Sequence, residues 1–248
     1  MPRIPSLTRL ALLAALLTLS ACSRVVVIQS APDEIPPGSV ETRADSAWYS
    51  IAFRLNRDGE DETAWHLDAL LADQVCAPAL SGLEPQISLW RFHRRAADDD
   101  IGHRFSLRIY TDPVTADIVY RRVREASVVK WLESNDRIAS VTMNRLHQPK
   151  LAPLARASDS AWPAEIRNSW PWFIMGVSQT WLSLIRQVTA DKPLDNPSPD
   201  ALLDYYRTVN DRVGELWRIH GQHAYLHHLN ALFGYELLII RETNLKRF

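Results

Sequence analysis

The chain has 248 residues, 46% of them hydrophobic and 23% charged, with a formal net charge of −1. That is the composition of a globular protein able to bury a core. The near-neutral balance excludes the basic surplus of a nucleic-acid-binding surface, so no nucleic-acid partner is expected.

Residues 1–21 read as a signal peptide. Met1 to Arg9 carries Arg3 and Arg9 and no acid, and residues 10–19 (LALLAALLTL) are apolar except for Thr18, the n-region and h-region of a secretory signal. As a helix the apolar run reaches only ~15 Å, half of a ~30 Å hydrocarbon core. The run ends at Leu19-Ser20-Ala21-Cys22, which resembles the lipobox of bacterial lipoproteins. The resemblance implies cleavage before Cys22, a diacylglycerol thioether on its sulfur and an acylated new amino terminus. The lipid bilayer is then the first partner, because more than one acyl chain makes a stable anchor. In such proteins Asp after the cysteine favours the inner membrane, so Ser23 implies the periplasmic face of the outer membrane. With Cys22 acylated, Cys76 has no partner for an intramolecular disulfide and is read as a small buried hydrophobe.

Residues 22–47 form a lipidated tether. Three prolines and scattered charge give no sustained period, although Val25 to Ile28 could add an edge strand. From Trp48 to Leu55 the chain alternates, with Tyr49, Ile51, Phe53 and Leu55 on one face, as a half-buried strand does. Glu62 to Val75 has apolar residues at helical spacing. Two strands follow, Gln86 to Arg95 and His103 to Tyr110, then a break at Asp112-Pro113, a helix over Ala116 to Leu132 and a strand over Ile138 to Leu146. The order β-α-β-β-α-β over 48–147 predicts an α+β, ferredoxin-like antiparallel sheet with two helices on one face.

The other face then displays Trp48, Arg54, Arg104, Ser106, Arg108, Tyr110, Ser140, Thr142 and Asn144. Arg104 and Arg108 make it a candidate site for a small anionic ligand; alternatively, the C-terminal half covers this face and pairs its arginines with acids. The near-neutral charge and the export signal argue against stacking of RNA bases on such a face.

Residues 148–163 read as a linker, and 164–248 as a helical C-terminal region. Trp170, Trp172, Phe173, Val177, Trp181, Leu184 and Val188 fit a broad apolar helical face, with Pro171 in a first turn or a kink. A core helix and a helix resting on the bilayer both account for them. Residues 191–200 form a loop, and a second helix runs from Ala201 to Leu238, with Gly214, Gly221 and Gly234 as possible breaks. A helical hairpin is expected.

That hairpin holds WRIHGQHAYLHH. On an unbroken helix His220, His223 and His227 fall within roughly 60° of one another, and His223 and His227 have the i, i+4 spacing that chelates zinc or copper. The metalloprotease pattern is absent, and histidines hydrogen-bonded at a helix junction are the alternative. There is no Gly-x-Ser-x-Gly elbow, phosphate loop or Cys-x-x-Cys pair. Asp98 to Asp100 reads as a solvated turn, and no cofactor is required by any motif.

The stretch from Trp48 to Pro113, with FRLNR, CAPAL, WRFHRR and GHRFSLRIYTDP, resembles in layout the C-terminal domain of lantibiotic dehydratases and thiopeptide-type bacteriocin biosynthesis proteins. That family's elimination chemistry acts on cytoplasmic peptides, whereas this chain carries an export signal, and no catalytic residue is transferred. The expectation is a non-enzymatic, outer-membrane-anchored binding or assembly module for an envelope protein. A metal-dependent enzyme or metal carrier and an anion binder are the alternatives.

Overall fold

Strands β1 (Ala47–Leu55), β2 (Leu89–Arg95), β3 (His103–Thr111) and β4 (Ile138–Met143) form an antiparallel sheet in the order β2-β3-β1-β4. This is the ferredoxin-like order, with β1 and β3 central. The computed structural model describes residues 45–57, 63–96, 99–146, 154–194 and 197–237; the signal peptide, Cys22, Asp98 and nearly all of the tether lie outside them. The described residues all belong to the unit Glu41–Phe248.

Alternation decides which face is buried. Tyr49, Ile51, Phe53 and Leu55 of β1 and Phe105, Leu107 and Ile109 of β3 point to one side and are at most 4% exposed. They meet α1 (Trp65–Leu71), which runs through a π-helical stretch, Ala72–Cys76, into α2 (Ala77–Leu80). They also meet α3 (Pro113–Glu125) and α4 (Ser127–Ser134). Asp112-Pro113 ends β3 as expected and also starts α3. Asp112 accepts from the amides of Val114 and Thr115 at 2.9 Å each, and Pro113 occupies the first helical position, where no N–H is needed. The single helix expected over 116–132 is two helices, because Ala126 leaves the helical region with φ −58° and ψ 122°. Cys76 is fully buried, and burial pushes its thiol pKa up.

After a short 3-10 turn, Leu154–Ala157, come α5 (Ala164–Asp191), α6 (Pro199–Leu216), a π-helical stretch Trp217–His227 and α7 (His228–Leu232). Pro171 lies well inside α5, so the carbonyl of Arg167 loses its helical donor. Ser158 Oγ donates to that carbonyl instead, at 3.4 Å. Gly214 and Gly221 do not interrupt the second helical region. It changes to π geometry at Trp217 and ends at Gly234, whose φ of 73° places it in the left-handed region. There Tyr235 N donates to Asn230 O and Gly234 N to Ala231 O, both at 3.0 Å, the paired bonds of a Schellman cap.

The α5–α6 hairpin packs along β2 and on α1. The amide of Phe92, on the sheet edge, donates to Ser178 Oγ at 3.0 Å, so α5 covers and satisfies an edge-strand donor. Tyr206 of α6 donates to Asp73 at 2.5 Å. The alternative in which the C-terminal half covers the second sheet face holds only at one end. There the carbonyl of Leu154 accepts from Trp48 Nε1 at 3.1 Å and that of Ala157 from Arg91 Nη2 at 3.3 Å. Among the described residues no helix is long and apolar enough to cross a membrane.

Candidate functional site

Strand register arranges the second sheet face as rows. Leu89, Tyr110 and Trp48 lie side by side, followed by Arg91, Arg108 and Ser50, then His93, Ser106, Ala52 and Thr142, and then Arg95, Arg104, Arg54 and Ser140. Directly opposed residues project to the same side, ~5 Å apart at Cβ, and the next row lies ~7 Å along the strands. Arg104 and Arg108 are therefore on this face, as the sequence indicated. The structure adds Arg91, Arg95 and His93, because the strand expected over 86–95 pairs so that Trp90, Phe92 and Arg94 face the helices.

The cations on this face differ in how they are satisfied. Arg95 pairs with Asp99, which also accepts from the amides of Ile101 and Gly102; the pair with Arg95 helps hold the carboxyl down at about 2. Arg54 donates to the carbonyl of Asp100 at 3.0 Å. Arg91 stacks on Trp170 with its guanidinium carbon 4.8 Å from the ring centroid. The Nε atoms of Arg91 and Arg108 are buried and have no partner among the described residues. Burial, and then Arg108, brings the Arg91 pKa down to about 10; burial and then Arg104 lower that of Arg108. His93 is lowered by burial and by the charges of Arg91, Arg108, Arg104 and Arg95.

On the opposite side of β2 lies a cleft of about 1020 Å³, walled by α5, α6 and the π-helical stretch and closed by Trp65 and Arg94. Six aromatic residues line it, Trp65, Trp172, Phe173, Trp181, Trp217 and Tyr225, together with aliphatic side chains and the polar Thr180 and Asn210. Two glycines on facing helices, Gly176 and Gly214, open onto it, and a methyl group at either would meet no atom within 4 Å. Each costs about 1 kcal/mol of helix propensity relative to alanine, and together they widen the space.

Arg94 is the cation in that wall. Its Nε lies 2.8 Å from Asp68 Oδ2, Nη2 donates to the carbonyl of Trp65 at 3.2 Å, and the guanidinium sits between the Trp65 and Trp181 rings at 4.8 and 4.6 Å. Asp68 is fully buried, and His103 Nε2 lies 2.9 Å from its Oδ1, although the two atoms are not aligned as a hydrogen bond. The indole of Trp65 meets His103 edge-on at 5.1 Å. None of these three polar residues was singled out from the sequence. The available signal was parity: His103 shares the face of Phe105 and Leu107, Arg94 that of Trp90 and Phe92, and Asp68 sits among buried leucines.

In the histidine segment, π-helical winding brings His223, His227 and His228 together. Ring centroids are 5.1 Å apart for His223 and His227, 5.6 Å for His223 and His228, and 5.4 Å for His227 and His228. His220 makes none of these contacts, and Tyr235 Oη lies 3.3 Å from His227 Nε2. The His223 and His227 rings are stacked, their planes inclined by only 23°. Among the described residues no group of three or more His, Cys, Asp or Glu side chains is placed to hold a metal ion.

No family model matches the chain, and no curated protein matches it. A solved structure titled "Crystal structure of TsrL" is similar over 77% of this chain and 49% of its own, at 15% identity and a TM-score of 0.38. This chain thus spans about half the length of that protein.

Proposed function

We propose that this chain is a lipid-anchored, non-enzymatic binding module of the cell envelope whose aromatic cleft seats an apolar segment of a partner protein. The observation that carries the reading is the cleft: about 1020 Å³, lined by four indoles, with glycines on two helices opening onto it. A large, mostly apolar pocket with a few positioned polar groups, here Arg94, Thr180 and Asn210, is the usual form of a binding site. The cleft is open to solvent, since its lining residues Trp172, Phe173, Val177, Trp217, Tyr225 and Leu226 are each more than a third exposed. Exposed aromatics around a fixed arginine have the composition of a protein-binding hot spot. The lipobox-like segment ending at Cys22 supplies the address.

The test is site-specific photo-crosslinking in cells expressing the full chain. A photoreactive residue at Phe173, on the cleft rim, is expected to give a discrete protein adduct that Gly176→Leu removes by filling the cleft. The same residue at Arg121, on the exposed side of α3, should give none. No adduct at Phe173, or equal adducts at both positions, would reject the proposal.

A further inference from the structure

The arginine rows on the second sheet face stand apart from the cleft and are not explained by it. Arg91 is only 5% exposed. It lies directly opposite Arg108 on the neighbouring strand, and Arg104 follows two rows along β3. Arg91, Arg104 and Arg108 have no carboxylate partner among the described residues; the acid beside this face, Asp99, is held by Arg95. An arginine cannot shed its charge near neutral pH, so burial and mutual repulsion must be offset by another group. Between the arginines lie only Ser106, Ala52 and His93, and the first two are too short to rise above the longer side chains. The guanidinium of Arg91 is fixed by Trp170 and the Ala157 carbonyl, with its Nε still unbonded. That is a preorganised donor in a strongly positive patch, the setting in which a fork of N–H groups recognises a phosphate oxygen.

We infer that the open face of the sheet binds a phosphate-type anion carrying at least two negative charges, held by Arg91, Arg108 and Arg104 over the Ser106 floor. Two sources share this chemistry, a free polyphosphate and the phosphomonoester head group of a lipid. Isothermal titration of the full chain in a non-ionic detergent separates them, with inorganic pyrophosphate as one probe and dioctanoyl phosphatidic acid as the other. Saturable binding of one equivalent is expected. Arg108→Gln and Arg104→Gln should each weaken it by about tenfold or more, because each removes a charge-assisted donor. Arg121→Gln, on the helix side, should leave it unchanged. Both variant positions are partly exposed, so the test stands even where Arg91→Gln fails to fold, and thermal midpoints near wild type confirm that each variant is intact. Binding of pyrophosphate assigns the site to a free anion; binding of phosphatidic acid alone assigns it to a lipid head group. No binding of either probe at millimolar concentration, or affinities unaltered by both substitutions, overturns the inference.

Discussion

Asp68 shows how one buried side chain supports a surface some distance away. Its carboxylate touches no solvent, yet it fixes Arg94 at 2.8 Å and meets His103 at 2.9 Å, so the cation in the cleft wall depends on it. Replacing Asp68 with Asn keeps the shape and removes the charge. Breaking one partner of a buried pair is costly, and Arg94 is partly solvated, which moderates the loss. We expect Asp68→Asn to destabilise the chain by roughly 2–4 kcal/mol, read from the midpoint of urea unfolding. A change below about 0.5 kcal/mol would show that the network does not hold the core. Asp68 was not read as structural from the sequence, since an acid early in a helix is ordinarily explained by the helix dipole, although its place among leucines was the available signal.

At the level of elements, the glycines of α5 and α6 separate local preference from function. Neither Gly176 nor Gly214 adopts a left-handed backbone, and an added methyl group would meet nothing within 4 Å. Gly176→Ala and Gly214→Ala are therefore expected to stabilise by about 0.5–1 kcal/mol each, raising the thermal midpoint by about 1–4 °C. Calorimetry of the two single variants checks this, and a fall in either midpoint would contradict the open geometry. Gly221 behaves differently: a Cβ there would lie 2.5 Å from the Trp217 ring. The strands were legible because period-2 alternation is local, and β1 and β3 were placed within a residue of their observed ends. The switch from α to π winding at Trp217 was not, since it changes hydrogen-bond partners while leaving composition and apolar spacing nearly unaltered. That switch decides which histidines meet.

For the molecule as a whole, the address and the folded domain are separate claims. The lipobox reading predicts that Cys22→Ser abolishes acylation and moves the chain out of the membrane fraction, while its far-ultraviolet circular dichroism stays that of wild type. Mass spectrometry of the mature amino-terminal peptide together with fractionation tests this, and an unmodified Cys22 in the wild type would refute the anchor. By itself, the sequence determined the α+β class and the β-α-β-β-α-β order, because alternation, helical periodicity and turn residues act over a few neighbours. It also placed Arg104 and Arg108 on the second face by parity. Only the tertiary structure decided that the C-terminal hairpin packs along β2 and α1 rather than across that face, that Arg91 lies opposite Arg108, and that indoles from α1, α5 and the π-helical stretch surround one cleft. Those outcomes rest on contacts between residues far apart in the chain, and the packing of whole faces, which no local pattern encodes, selects them.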